Sequence, residues 1–200
     1  MITVISPDSF KKIPWKNGLG FTTELAINDG ASLDNFDWRL SIASVTSNGE
    51  FSNFSGYDRN LVLIEGNSIS LQHDQKHTDN LTKLLDIAKF DGACKTVGTL
   101  NDGAIKDFNV ITKQSTTSVQ VDTYVAQQDV IQELKNAAMI FVYSLSANVT
   151  ITIAGNEKIL RQGHLAKINN INHDSNIGGL TTAIISGQQM IIAGINFNAI

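Results

Sequence analysis

Two arginines stand among apolar neighbours in this 200-residue chain: Arg39 lies inside Trp-Arg-Leu-Ser-Ile-Ala (38–43), and Arg59 precedes Asn-Leu-Val-Leu-Ile (60–64). A guanidinium is a planar fork of N–H donors that can meet a carboxylate through two contacts at once. For Arg39 two readings stand side by side. One is a buried ion pair with Glu24, Asp58 or Asp107; the other is a clamp for a ligand carboxylate. Arg59 follows a glycine loop and precedes an apolar strand. A fold-stabilising ion pair is the first expectation there, and ligand contact the second. Ser41 shares a strand face with Arg39 and could support its contact. Trp15-Lys16-Asn17 brings an indole, an ammonium and an amide to a loop bounded by Pro14 and Gly20. That loop reads as a pocket mouth or as a segment held by burial of the tryptophan. Asp107 and Asn109 fall on one strand face, either as ligand contacts or as a hydrogen-bonded strand end. Glu24, with Thr22 on its face, is the best-placed carboxylate for a general base.

Other chemistries find little support. His73 and His77 form the one close histidine pair. On a helix they would share a face, but they fall in a polar stretch after a strand, so metal binding there is a minor expectation. No His-x-His occurs, and a stable transition-metal site takes about three or four protein ligands. His164 and His173 read as surface loop residues. Cys94 is the single cysteine, which excludes an internal disulfide and fits a reducing cytoplasm; it reads as a structural thiol. The chain has no Gly-x-Ser-x-Gly elbow, no P-loop and no Gly-x-Gly-x-x-Gly. Gly18-Leu19-Gly20 leads into a strand rather than a helix, so it is not a phosphate loop. No metal and no cofactor are expected.

The elements that must position these residues are strands. In 38–43, Trp38, Leu40 and Ile42 alternate with Arg39, Ser41 and Ala43, and the apolar set is expected to face a core. Asn48-Gly49 marks a turn, because both residues tolerate positive φ. Residues 61–64 are apolar on both faces and belong inside a layered or closed sheet. Further strands are expected over 21–27, 68–72, 107–112 and 116–127, and in six short runs after 139. Residues 8–12 read as one helical turn, 73–80 as a polar loop, and 129–136 as a weak helix or long loop. Short strands broken by turn residues indicate an all-β sandwich or barrel. Two runs of such strands suggest two lobes, 1–115 and 116–200, with the second completing the core and offering a homodimer contact. Hydrophobic residues make up 42% and charged residues 17%, which suits a folded chain with a real core. A formal net charge of -4 favours neither nucleic acid nor an anionic membrane surface. The N-terminus does not read as a signal peptide. The apolar run 137–153 is broken by five Ser, Thr and Asn residues and reads as two strands rather than a membrane span.

Three strings carry a family resemblance. They are Trp-Arg-Leu-Ser-Ile-Ala, then Gly-x-Phe-Ser-x-Phe-x-Gly-x-Asp-Arg, then Leu-x-Leu-Ile-x-Gly, all within 37–66. Pro14-Trp15-Lys16-Asn17-Gly18-Leu19-Gly20 and Asp107-Phe108-Asn109-Val110 add two more, in order. Together they resemble the HutD/Ves family. The resemblance implies a cupin-like jelly-roll fold, two β lobes in one bicupin-type unit. Cupin enzymes hold a metal through histidines and a glutamate, the last histidine lying in a second glycine-bounded motif. Gly155, Arg161-Gln162-Gly163, Ala166 and Asn170 follow that frame loosely, but Ala166 stands where the histidine would be. The resemblance therefore implies a metal-independent small-molecule binding protein, regulatory in histidine utilisation. Its ligand would be a small carboxylate such as urocanate or formylglutamate. The ligand-binding set would be Trp15, Lys16, Asn17, Glu24, Arg39, Ser41, Arg59, Asp107 and Asn109. Two alternatives remain open: a cofactor-free isomerase or hydrolase using Glu24 or Asp107 with Arg39, and a protein–protein interaction module.

The absent cupin ligand set yields a direct expectation. Purified protein should carry no stoichiometric transition metal by elemental analysis. Close to one metal per chain, lost on changing His73 or His77, would refute it.

Overall fold

The computed structural model describes residues 2–15, 20–169 and 182–198. Its regular structure is strand, with two single-turn 3-10 helices, Pro7–Ser9 and Leu134–Asn136. The strands run β1 (Ile2–Ile5), β2 (Lys11–Pro14), β3 (Gly20–Ile27), β4 (Trp38–Val45), β5 (Gly49–Glu50), β6 (Tyr57–Glu65), β7 (Ile69–His73), β8 (His77–Leu81), β9 (Ile87–Asp91), β10 (Thr96–Leu100) and β11 (Ile105–Lys113). They continue as β12 (Thr117–Tyr124), β13 (Gln128–Glu133), β14 (Met139–Ser144), β15 (Val149–Ile153), β16 (Asn156–Leu160), β17 (Leu165–Asn169), β18 (Thr182–Gly187) and β19 (Met190–Phe197). No helix among the described residues is long and apolar enough to cross a membrane.

The chain divides into two compact units. One is Phe10–Thr117; the other joins Met1–Ser9 to Ser118–Ile200. Strand β1 belongs to the second because it pairs antiparallel with β17, Val4 opposite Ala166. The first unit has a six-stranded sheet, β2-β3-β4-β11-β6-β9, and a four-stranded sheet, β5-β10-β7-β8. The second has a five-stranded sheet, β1-β17-β14-β19-β12, and a four-stranded sheet, β13-β18-β15-β16.

Each unit has its own apolar interior. In the second, Ile140, Val142, Val149, Ile151, Leu160, Ala166 and Ile185 pack together. In the first, Ala43, Val45, Leu61, Leu63, Ile69, Leu71, Leu81 and Ala88 do. Alternation along β4 then explains a difference from the expected facing. Trp38 and Leu40 are buried, at 2% and 0% exposure, and Ile42 is partly so. The interior of the first unit, however, takes the opposite face, that of Ala43 and Val45. Phe108 and Val110 lie across from Ile42 and Leu40, and they too are buried. The central strands are therefore covered on both faces, as the unbroken apolar run 61–64 requires. Arg39 and Ser41 point inward with Ala43.

Three local expectations are corrected. Residues 129–136 are mainly strand β13, paired with β18 with Ile131 opposite Ile184, followed by one 3-10 turn. Residues 73–80 form a hairpin in which His73 lies opposite His77. Asp74 and Gln75 turn it with φ of 48° and 57°, a conformation open to Asp and its polar relatives at modest cost. Asn48 and Gly49 do not take positive φ. Instead Gly49 opens β5 against β10, and Asn48 Oδ1 accepts a hydrogen bond from the Leu100 amide at 2.8 Å.

Burial of Trp38 sets a stability test. Trp38→Ala should cost about 3–5 kcal/mol, read as a lowered denaturant midpoint with an unchanged slope. A midpoint close to the parent's would mean that this face carries little of the packing energy.

Candidate functional site

The inward face of the six-stranded sheet carries a band of polar groups amid apolar ones. Register explains the band. Asn109 on β11 sits opposite Ser41 on β4 and Leu61 on β6. Ile111 sits opposite Arg39 on one side and Arg59 on the other, so the two guanidiniums flank one strand. Glu24 on β3 lies opposite Ser41 just ahead of a register shift between Glu24 and Ala26. Four strands, β3, β4, β6 and β11, thus deliver Glu24, Arg39, Arg59, Asp107 and Asn109 to one surface.

That surface borders a cavity of about 690 Å³, a size suited to a small-molecule ligand. Of the residues singled out from sequence, Trp15, Arg39, Ser41, Arg59 and Asn109 line it. Glu24 and Asp107 do not line it but stand beside lining residues. Lys16 and Asn17 lie outside the described residues. The second unit has a smaller cavity of about 310 Å³, lined by amides and by Asp122 and Glu133, with no guanidinium.

The two arginines are held differently. Arg39 Nε donates to Glu24 Oε2 at 2.9 Å, and both side chains are buried. Of the three carboxylates considered, Glu24 is the partner, and the contact engages one of five N–H donors on the fork. Arg59, expected to form an ion pair, has no carboxylate within 4.0 Å among the described residues. Its Nη1 donates to the Ser52 carbonyl at 3.2 Å and its Nη2 to Asn109 Oδ1 at 3.0 Å. Its Nε is buried without a partner. The guanidinium carbon lies 5.6 Å from the Phe51 ring centre, 5.4 Å from Phe54 and 5.1 Å from Phe90. Ring faces attract a cation within about 6 Å. Burial pulls the Arg59 pKa down to about 10 against the opposing pull of Asp107, so the group stays charged at neutral pH.

Phe51, Ser52 and Phe54 are the site residues that sequence reasoning did not assign. They were visible as the Gly-x-Phe-Ser-x-Phe string, but nothing in the string tells that it folds back on Arg59. Glycines make the fold-back possible. A Cβ on Gly98 would sit 2.5 Å from the Phe51 ring, so only glycine lets that ring lie over β10. A Cβ on Gly20 would sit 3.0 Å from the Trp15 ring and 2.5 Å from the Ser44 carbonyl. Trp15 is fixed further by a hydrogen bond from Nε1 to Thr22 Oγ1 at 2.9 Å.

Asp107 is fully buried. Its register partners are Ala43 and Leu63. Asn109 Nδ2 donates to Asp107 Oδ1, while Asp107 Oδ2 has no partner. Because arginine can only donate, Asn109 must present Oδ1 to Arg59 and Nδ2 to Asp107. Burial raises the Asp107 carboxyl to about 7, with Arg59 and Asn109 pulling the other way.

The remaining candidates have local roles. His73 is buried; Nδ1 meets Thr96 Oγ1 at 2.9 Å and Nε2 meets Asp79 Oδ2 at 3.3 Å. His77 Nε2 meets the other Asp79 oxygen at 2.9 Å. Among the described residues no three His, Cys, Asp or Glu side chains are gathered to hold a metal. The described lining of the larger cavity has no histidine or cysteine, and two guanidiniums repel a divalent cation. The cupin metal does not fit this donor set. Ala166 is fully buried in the apolar interior of the second unit. The Cys94 thiol is pushed up, first by burial and then by Asp74, so it is a poor nucleophile. His173 lies outside the described residues.

The Asp107 shift has a testable sign. In the unfolded chain the carboxyl ionises near 3.8, whereas in the folded protein it keeps its proton to about 7. Between those values the folded state binds the extra proton. Stability from this group therefore falls as pH rises through that window and levels off above it. Asp107→Asn should be more stable than the parent by on the order of 1–3 kcal/mol at pH 8, with the gap closing toward pH 4. Denaturation midpoints at the two pH values check it; an Asn variant less stable at pH 8 would reverse the sign.

The sequence profile of the HutD family matches residues 7–187. An uncharacterised 21.2 kDa protein of the hutC 3' region in Pseudomonas putida is 30% identical over 156 residues, covering 78% of this chain and 80% of that protein. The structure of HutD from Pseudomonas fluorescens SBW25, in a formate condition, superposes with a TM-score of 0.81 at 26% identity over 100% of both chains. A cupin 2 conserved barrel domain protein from Leptotrichia buccalis has a TM-score of 0.54 at 9% identity over 88% of each chain, a likeness of fold alone. The all-β architecture is thus of the cupin kind, and with a family match spanning most of its length this chain belongs to the HutD family.

Proposed function

We propose that the unit formed by Phe10–Thr117 binds a small carboxylate, without a metal, in the cavity bordered by Arg39 and Arg59. One observation carries the reading: Arg59 is a buried, charged guanidinium with no carboxylate in ion-pair reach among the described residues, beside a cavity that it helps to line. A buried charge is ordinarily paired, and a ligand carboxylate would supply the missing negative charge. Trp15, Phe51, Phe54 and Ile111 give the ligand body an apolar wall. The hutC-region relative and the family name support a role in histidine utilisation, in which the protein responds to an intermediate of histidine breakdown such as urocanate or formylglutamate. A cofactor-free isomerase or hydrolase is less well supported. Glu24 Oε2 is engaged by Arg39, and Asp107 is not part of the cavity lining.

Calorimetric titration with formylglutamate, urocanate and glutamate tests the reading. Arg39→Ala should lose about 2–5 kcal/mol of affinity, on the order of thirtyfold or more. Arg39→Lys keeps the charge but not the fork, and should recover only part of it. Circular dichroism must show both variants folded. Parent-like affinity in folded Arg39→Ala would make Arg39 an internal ion-pair residue only. No carboxylate binding to the parent would favour an interaction module instead.

A further inference from the structure

We infer that carboxylate uptake in this cavity is coupled to proton uptake by Asp107, which senses the ligand through Asn109 and Arg59. The inference rests on the carboxylate reading above and adds a regulation of that site. A continuous chain of contacts supports it. Arg59 lines the cavity, donates to Asn109 Oδ1 at 3.0 Å, and Asn109 in turn donates to Asp107 Oδ1. The second Asp107 oxygen is buried with no partner. An unpaired anionic oxygen in an apolar setting is costly, and a proton removes that cost.

The groups that face Asp107 define the charge balance. On β4 there is Arg39, on β6 Arg59, and on β3 Glu24, already paired with Arg39. Strand β9 presents Ala88 and Phe90 alongside β6, neither of them charged. In the facing sheet, β7 contributes His73, held by Thr96 and Asp79. Glu50, at the cavity rim, is exposed and lies 3.5 Å from Lys95. Lys11 on β2 is exposed opposite Glu24. Among the buried charges, ionised Asp107 leaves two guanidiniums balanced by two carboxylates. Protonated Asp107 leaves one positive charge over, which a ligand carboxylate can match.

The reaction balances as ionised protein plus ligand anion plus one proton, giving the protonated complex. Without ligand, Arg59 favours the ionised form of Asp107. A bound carboxylate competes for the positive charge of Arg59, so the proton affinity of Asp107 rises. By linkage, ligand affinity is highest in mildly acid solution, where Asp107 already holds its proton. It falls as pH rises through neutrality, by up to tenfold per pH unit, until the carboxyl of the complex also ionises.

Sodium formate is a suitable probe, since it does not titrate in this range. Its binding would be measured by calorimetry from pH 6 to 9, in two buffers of different ionisation enthalpy. The parent should take up a substantial fraction of one proton per formate near pH 8, with affinity falling as pH rises. Folded Asp107→Asn should bind formate with no proton uptake and a flat pH profile. Carbon-13 NMR of the aspartate carboxyls supplies a readout that needs no variant: one buried carboxyl should titrate near neutrality, and its midpoint should rise with formate. Formate binding with a flat pH profile in the parent would overturn the coupling while leaving the carboxylate reading standing. So would proton uptake that persists in Asp107→Asn, which would point to His73. No formate binding at any pH would overturn both.

Discussion

Arg59 keeps a positive charge where only 5% of its surface meets water, and burial, opposed by Asp107 and reinforced by Arg39, draws its pKa down to about 10. A charge in such a place persists only if protein groups replace the lost hydration. Here the replacement comes from three directions. The Ser52 carbonyl and the Asn109 amide oxygen take two of the N–H groups. The rings of Phe51, Phe54 and Phe90 surround the guanidinium plane at 5.1 to 5.6 Å. The segment from Gly49 to Tyr57 therefore has to fold back over β6, whose third residue is the arginine. Its ends are tied by main-chain contacts: the Phe51 amide donates to the Thr96 carbonyl at 2.9 Å, and the Phe54 amide to the Gly92 carbonyl at 2.8 Å. One buried cation thus shapes a loop, a cavity wall and the orientation of Asn109.

The same sheet carries an unusual division of labour between its faces. Trp38, Leu40, Phe108 and Val110 are buried on one, while the inward face mixes Ala43, Leu61 and Leu63 with Glu24, Arg39, Arg59, Asp107 and Asn109. An apolar inner face would be the more stable solution, since replacing buried ion pairs by packed hydrophobes is often neutral or favourable. The orphaned Arg59 Nε and Asp107 Oδ2 show that polarity is retained here even where it is not fully satisfied. Sites of function are where such departures from packing logic concentrate. Where the loose cupin frame would place an imidazole, the methyl group of Ala166 is packed among Ile140, Val142 and Ile168.

Much of the architecture was legible in the sequence. Period-two alternation marked β4 and β11, the doubly apolar run marked β6, and the spacing of turn residues marked an all-β protein. The arginines, Ser41 and Asn109 stood out because polar groups in apolar strands are rare without a purpose, and Trp15 because its loop is bounded by Pro14 and Gly20. The errors fell where local pattern is ambiguous. Residues 129–136 alternate too weakly to separate strand from helix, and pairing with β18 decided them. Polar residues at 73–80 hid a hairpin, because an edge strand needs little apolar content when its backbone is satisfied by a neighbour.

By itself, then, the sequence determined which residues share a strand face, because that depends only on the geometry of consecutive peptide units. It determined the strand-rich class and the set of polar groups that require an explanation. It could not determine that the face of Arg39 and Ser41 turns toward the interior of the first unit, since that depends on the sheet packed against it. Nor could it choose Glu24 over Asp58 as the partner of Arg39, or place Phe51 and Phe54 on Arg59. Those outcomes depend on register between strands far apart in the chain. The tertiary structure decided them, because only pairing across the sheet brings Arg59 within hydrogen-bonding distance of Asn109, and only burial shifts the titration of Arg59 and Asp107.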